Sequence, residues 1–234
     1  MTLADIRREL TLRGDPKKCE PIRYYFNHTK LRMYGASTPA QRSIARQWTR
    51  EHQQASAREV LSLVNALYCA PSFDERLIAS YVLAQNVRVI PSITEAQWNR
   101  WIARIDNWAV SDNICGVPLG TWVLADPARG EHYLKKLIAS KNIWARRVAI
   151  VALTWVVRYN KSPRWKNLAF SFVRKTMHER DVIMTKAVSW ILRALIHYHA
   201  PAVRTFVEKY ENDLPAIARR ETLNKLKSGK KSGK

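Results

Sequence analysis

One carboxylate stands in a row of cations along this chain. Arg42, Arg76, Asp112, Arg147 and Lys186 follow one another at intervals of 34, 36, 35 and 39 residues, and Arg219 or Arg220 comes 33 or 34 residues after Lys186. Each follows a short polar lead and precedes an apolar run, such as Leu77-Ile78-Ala79 or Val148-Ala149-Ile150. Cations at one register suit a polyanion, and a carboxylate at that register repels one. Asp112 therefore fits chemistry in which positive charge forms or binds beside it. The alternatives are a helix cap or an intramolecular partner for an arginine. Trp108 precedes Asp112 by four residues, which puts both on one side of a helix, and Trp190 follows Lys186 by four. Tryptophan most often fills a core, so packing and an exposed aromatic contact both stay open for Trp108 and Trp190.

Other chemistries find little support. There is no paired-cysteine motif, no HExxH, no Walker loop and no glycine-rich phosphate loop, so neither a metal nor a cofactor is expected. His197 and His199 diverge by about 200° on a helix, which makes them surface or packing residues rather than ligands. Trp48, Trp98, Trp101, Trp122, Trp155 and Trp165 read as packing, and Trp144, beside Arg146 and Arg147, is left open. No lysine stands out as a Schiff-base nucleophile.

A register of this length must be carried by stacked helix pairs, each unable to bury its apolar face alone. Proline and cap residues mark the helix starts: Asp15-Pro16, Ser37-Thr38-Pro39, Pro71-Ser72, Pro91-Ser92, Asp126-Pro127, Ser162-Pro163, Ala200-Pro201 and Leu214-Pro215. About a dozen helices with short connections follow. The expected fold is all-α: a curved solenoid of stacked helical repeats that presents equivalent positions along one face. Residues 1–227 would form a single domain and 228–234 a disordered basic tail.

Charge points to the partner. Lys and Arg number 40 against 19 Asp and Glu, a formal net charge of +21. Without the last ten residues, which hold five lysines, the body still carries +16. Residues 21–50 contain six cations and no acid, residues 132–178 eleven and none, whereas residues 92–131 hold five acids and three bases. Acid-free blocks of this length favour nucleic acid through counterion release and long-range attraction. No segment reads as a signal peptide or a membrane span, since the most apolar stretch, residues 148–157, is too short. Cys19, Cys69 and Cys115 are odd in number and far apart, which fits a reducing cytoplasm rather than a disulfide framework. Asn27-His28-Thr29 matches a glycosylation sequon, with no export signal to give it meaning.

At these residues the sequence resembles the AlkD-like family of alkylpurine DNA glycosylases, helical-repeat enzymes of DNA repair. The resemblance runs over essentially the whole chain. It rests on Asn107, Trp108 and Asp112; on Asn142-Ile143-Trp144-Ala145-Arg146-Arg147; on Ala187-Val188-Ser189-Trp190-Ile191-Leu192-Arg193; and on Arg23-Tyr24 and Ser37-Thr38-Pro39. It implies a right-handed α-solenoid of HEAT-like helical repeats, curved with a basic concave DNA-binding face. It also implies excision of cationic N3- or N7-alkylated purines from double-stranded DNA by a monofunctional, cofactor-free monomer, cytoplasmic and nucleoid-associated in a bacterium. Asp112 would be the catalytic carboxylate, Trp108 and Trp190 an aromatic cleft around the nucleotide backbone, Arg147 a phosphate contact and Tyr24 a DNA contact. Arg42, Arg76, Lys186, Arg219 and Arg220 complete the expected DNA-binding set by register. Two positions depart from the family pattern: Ala109 replaces a common second acid, and Ser111 stands where an apolar residue is usual. Two other functions compete on the same scaffold. A non-catalytic binder of bent or branched DNA would keep the basic face without base release, and a protein adaptor would leave the acid-free blocks unexplained.

Overall fold

The computed structural model describes residues 1–26 and 29–232. Asn27 and His28 of the sequon lie outside the described residues, as do the last two residues of the tail. Helices account for nearly all regular structure. Among the described residues the only β-type pairing is one isolated bridge between Arg32 and Ser72, so the all-α expectation holds.

The chain forms two compact units, Met1–Asp126 and Pro127–Lys234. The first contains α1 (Leu3–Arg13), α2 (Cys19–Tyr25), α3 (Thr38–Glu51), α4 (Ala57–Cys69), α5 (Phe73–Gln85), α6 (Glu95–Ile102), α7 (Trp108–Cys115) and α8 (Val117–Ala125). The second contains α9 (Pro127–Ile138), α10 (Ile143–Tyr159), α11 (Pro163–Thr176), α12 (Val182–Lys209) and α13 (Ala216–Ser228).

Local chemistry explains the starts. Ser37, Ser72 and Ser162 cap α3, α5 and α11 as their sequence settings predict, each accepting a backbone N–H from the first turn. Thr2, Ser56 and Thr94 form reciprocal capping boxes with Asp5, Glu59 and Gln97. One proline signal leads elsewhere. Pro91 falls within a 3₁₀ turn, Val87–Ser92, and the next helix is capped only at Thr94. The Ala200-Pro201 start corresponds to a kink: α12 is two helical segments that meet at His199, where φ is −136°, and Pro201 stands in the first turn of the second. Proline lacks an N–H and crowds the preceding turn, so it suits the start of that second segment.

In the first unit α5 is the central element. Ten of its residues are buried, including Asp74, Glu75 and Arg76, and it packs against α3, α4, α7 and α8. An ionised group this deep needs partners. Asp74 accepts from the backbone N–H groups of Tyr34 (2.8 Å) and Ala36 (3.2 Å) and from Gln41 Nε2 (2.9 Å). This ties the 34–36 turn to the core. Gly35 in that turn has φ +75°, and a Cβ there would collide with the Asp15 carbonyl, so only glycine fits. In the second unit α10 is buried along most of its length and packs against α9, α11 and α12, while α13 packs on α12.

Tryptophan placement follows the sequence reading closely. Trp48, Trp98, Trp101, Trp122 and Trp165 are buried, while Trp155 is half-buried against Tyr159. None of the three cysteines is in a disulfide. Among the described residues no helix is long and apolar enough to cross a membrane, and no cluster of three metal-ligating side chains occurs.

Candidate catalytic carboxylate and nucleic-acid interface

Trp108 and Asp112 sit one turn apart on α7, a short helix whose start is tied to the preceding loop. Asn107 is its cap: Oδ1 accepts from Val110 N at 3.0 Å, and Nδ2 donates to Asp106 Oδ1 at 2.9 Å. Asp106 Oδ2 in turn accepts from Thr29 Oγ1 (2.7 Å) and Lys30 N (2.9 Å). Arg76 donates through Nη1 to the Arg104 carbonyl and through Nε to the Ala70 carbonyl at 2.9 Å. Burial presses the Arg76 guanidinium pKa below its ordinary value, and Asp106 opposes that shift. A buried cation and a shared carboxylate thus hold the loop that aims α7.

Both α7 side chains of interest are half-buried, whereas their neighbours Ala109, Val110 and Ser111 are buried. Aromatic rings frame Trp108 in edge-on contact: Phe26 at 4.8 Å and Tyr25 at 5.5 Å between centroids. Phe26 also packs on Phe73, the first residue of α5. Tyr24 and Tyr25 at the end of α2 are exposed, at 74% and 68%. The sequence reading picked out Tyr24 and missed Tyr25 and Phe26. Three consecutive aromatics closing a short helix were the available signal. Ser111 is fully buried, and its Oγ has no hydrogen-bond partner. A hydroxyl where the resembled family has an apolar residue is thus left unsatisfied directly beside Asp112.

The register cations divide by burial. Arg76 and Arg147 are 6% and 4% exposed. Arg147 Nη1 donates to the Ile183 carbonyl at 2.6 Å, in the first turn of α12. Each thus reaches forward to main chain that leads into a later helix, Arg76 before α7 and Arg147 at α12. Arg42, Lys186 and Arg220 are exposed, with the Arg42 guanidinium 5.3 Å from the Tyr81 ring centroid. Arg219 is half-buried and pairs with Glu211 at 3.2 Å. One register therefore holds two kinds of cation, and sequence spacing alone does not separate them.

Trp190 is half-buried on α12, one turn beyond Lys186. It borders a cavity of about 430 Å³ within the second unit, together with Arg158, Tyr159, Arg193, Tyr198 and Lys225. Neither Arg158 nor Lys225 featured in the sequence reading, because neither falls on the register. Arg193, three residues after Trp190 and so on the same helix side, was the available clue. His197 is exposed and His199 half-buried.

The architecture is that of a known class. A solved structure of a predicted DNA alkylation repair enzyme from Enterococcus faecalis superposes with a TM-score of 0.74 at 17% identity, covering 90% of this chain and 95% of that one. A second superposes with a TM-score of 0.73 at 17% identity, covering 98% and 96%. It represents a family of proteins related to the HEAT-like repeat DNA glycosylases, with affinity for branched DNA structures. The fold is accordingly the HEAT-like helical-repeat fold. No curated protein matches the sequence significantly. The family model for DNA alkylation repair enzymes matches residues 6–226, and the chain belongs to that family.

Proposed function

We propose that the protein is a monofunctional DNA glycosylase that removes cationic N3- or N7-alkylated purines from duplex DNA. It leaves an abasic site. Membership of the DNA alkylation repair family supports the class. The observation that carries the chemistry is Asp112, half-buried one turn from half-buried Trp108 on a helix whose start is fixed by Asn107 and Asp106.

Alkylation at a ring nitrogen makes the purine a cation and a good leaving group. As the C1′–N bond breaks, its electron pair leaves with the base and neutralises it. Positive charge then develops on the deoxyribose. A carboxylate already in position stabilises that charge, the more so where water is scarce. Asp112 also orients the attacking water, whose oxygen bonds to C1′ as a proton is released. The Trp108 ring offers its negative face to the cationic sugar, worth up to about 2 kcal/mol when desolvated, and Trp190 is proposed as an aromatic contact to the same nucleotide. Phosphate contacts fall to the exposed Arg42, Lys186 and Arg220, with Tyr24 as a further DNA contact and Arg219 shared with Glu211. Arg76 and Arg147 act chiefly through the main chain they hold. The proposed enzyme works as a monomer in the cytoplasm, associated with the nucleoid if its source is a bacterium. The test is incubation with methylated duplex DNA and chromatography of the released purines. Release of 3-methyladenine or 7-methylguanine is expected; none from any methylated duplex overturns the activity.

A second function has a specific observation in its favour. The structural relative with affinity for branched DNA has the same fold at similar likeness, and Ala109 removes a second acid from α7. A non-catalytic binder would bind junctions tightly in the same assay and release no base.

A further inference from the structure

Cations ordinarily avoid one another unless an anion joins them. In the second unit Arg158, Arg193 and Lys225 border a single cavity of about 430 Å³. The carboxylate that pairs with Arg193, Glu221, is already committed. Its Oε2 accepts from Ser189 Oγ at 2.5 Å and lies 3.5 Å from Arg193 Nε, and its Oε1 lies 3.1 Å from Lys231 Nζ. Burial works against the Glu221 charge, but the Ser189 and Lys231 hydrogen bonds win and hold its pKa below the usual carboxylate range. Burial pushes the Lys225 ammonium pKa down, and Arg193 and Arg158 add to that shift. The three charges are thus close enough to repel. Glu221 pairs with Arg193 and Lys231, and Arg158 and Lys225 add further positive charge at the cavity, a local excess that a dianion balances better than a monoanion.

Trp190, Tyr159 and Tyr198 line the rest of the cavity together with Ala194 and His197. Trp190 is half-buried, and Tyr159 and Tyr198 are 63% and 44% exposed. Aromatic faces beside an excess of cations suit a nucleotide, with the base stacked and the phosphate held. The volume is of the order of one nucleotide. A phosphate monoester carries about −1.5 to −2 at neutral pH, whereas an internal diester carries one charge.

We propose that this cavity binds a terminal nucleotide bearing a phosphate monoester, as found at a phosphorylated strand end in interrupted DNA. The proposal extends the DNA-repair function above, and so rests on that function for its source of ligand. Arg158 and Lys225 hold the phosphate, Arg193 fixes the rim through Ser189 and Glu221, and Trp190 or Tyr198 stacks the base.

The test compares gapped duplexes that differ only in a terminal phosphate or hydroxyl at the gap, by fluorescence polarisation at fixed salt. The wild-type chain is expected to prefer the phosphorylated end by about tenfold, the scale of charge-assisted hydrogen bonds. In the Arg158→Ala/Lys225→Ala double variant that ratio should fall to about one. The Arg158→Lys/Lys225→Arg variant should keep most of it, which guards against a general folding defect. Because each variant is its own reference, loss of nonspecific affinity does not alter the ratio. A wild-type ratio of one, or an undiminished ratio in the alanine variant, overturns the proposal. Competition with a free nucleoside monophosphate assigns the source: if it abolishes the preference, the pocket takes nucleotides as such; if not, it requires a strand end. Base release from intact methylated duplex, run in parallel, keeps the two proposals apart. Base release with a ratio of one sinks only the pocket, and a clear preference without base release sinks only the glycosylase.

Discussion

The two units of the chain differ in charge as much as in content. Residues 1–126 hold 16 Lys and Arg against 12 Asp and Glu, and residues 127–234 hold 24 against 7. The near-balanced unit carries Asp112, and its acids have structural work: Asp74 and Asp106 bind backbone N–H groups, and Glu75 pairs with Arg7. The strongly basic unit carries Lys186, Arg220 and the cavity cations. On the proposed function, the difference means that grip and chemistry need not share one set of residues. A carboxylate survives beside a polyanion when the charge that attracts the strand is concentrated elsewhere in the sequence.

That contrast can be broken experimentally, and the largest effect expected is on folding. Arg147→Ala removes a buried cation that donates to the Ile183 carbonyl, leaving an acceptor unmet and a void. A loss of about 3 kcal/mol in urea unfolding is expected, with little change in salt dependence if the protein remains folded. An unchanged midpoint would return Arg147 to the exposed class. The exposed cations should behave oppositely. Lys186→Ala/Arg220→Ala should leave stability within about 0.5 kcal/mol and flatten the log–log salt dependence of DNA binding by about two units. Arg42→Ala in the balanced unit should flatten it by about one. A larger effect from Arg42 than from the pair would invert the proposed division of labour.

Trp190→Ala sharpens the comparison within the basic unit. Excision is expected to slow by about tenfold, while binding to undamaged duplex weakens less, consistent with the 1–3 kcal/mol scale of base stacking. Equal losses would point to packing. The smallest effect concerns Ser111. Replacing it with alanine removes a buried hydroxyl that lacks a partner, so Ser111→Ala should stabilise the fold by up to about 1 kcal/mol. A clear loss of stability in thermal unfolding would mean that the hydroxyl is satisfied in solution.

Much of the scaffold was legible in the sequence because helix starts are local chemistry. Ser37, Ser72 and Ser162 announce their helices through a side-chain oxygen that only the next turn can satisfy. Pro91 misled for a physical reason: a missing N–H is tolerated in a 3₁₀ turn as well as in the first turn of an α-helix, and α6 begins only after the Thr94 cap. The register was legible as a period but not as a set of roles. Arg76 and Lys186 look alike in sequence, yet one donates to main-chain carbonyls and the other is exposed, because burial depends on neighbours far along the chain. The same holds for the cavity, where Arg158, Arg193 and Lys225 come from three helices that no spacing rule relates. Tyr25 and Phe26 were hidden in another way, since their importance arises only from contact with Trp108.

The most direct measurement is single-turnover base release from methylated duplex DNA by the wild-type chain and by Asp112→Asn, with DNA affinity measured on the same preparations. The asparagine variant should bind at least as tightly as wild type, since it removes a negative charge beside phosphates, and should lose about 10²–10³ in excision rate. Release at the wild-type rate from the asparagine variant would contradict the assignment of Asp112 as the catalytic carboxylate.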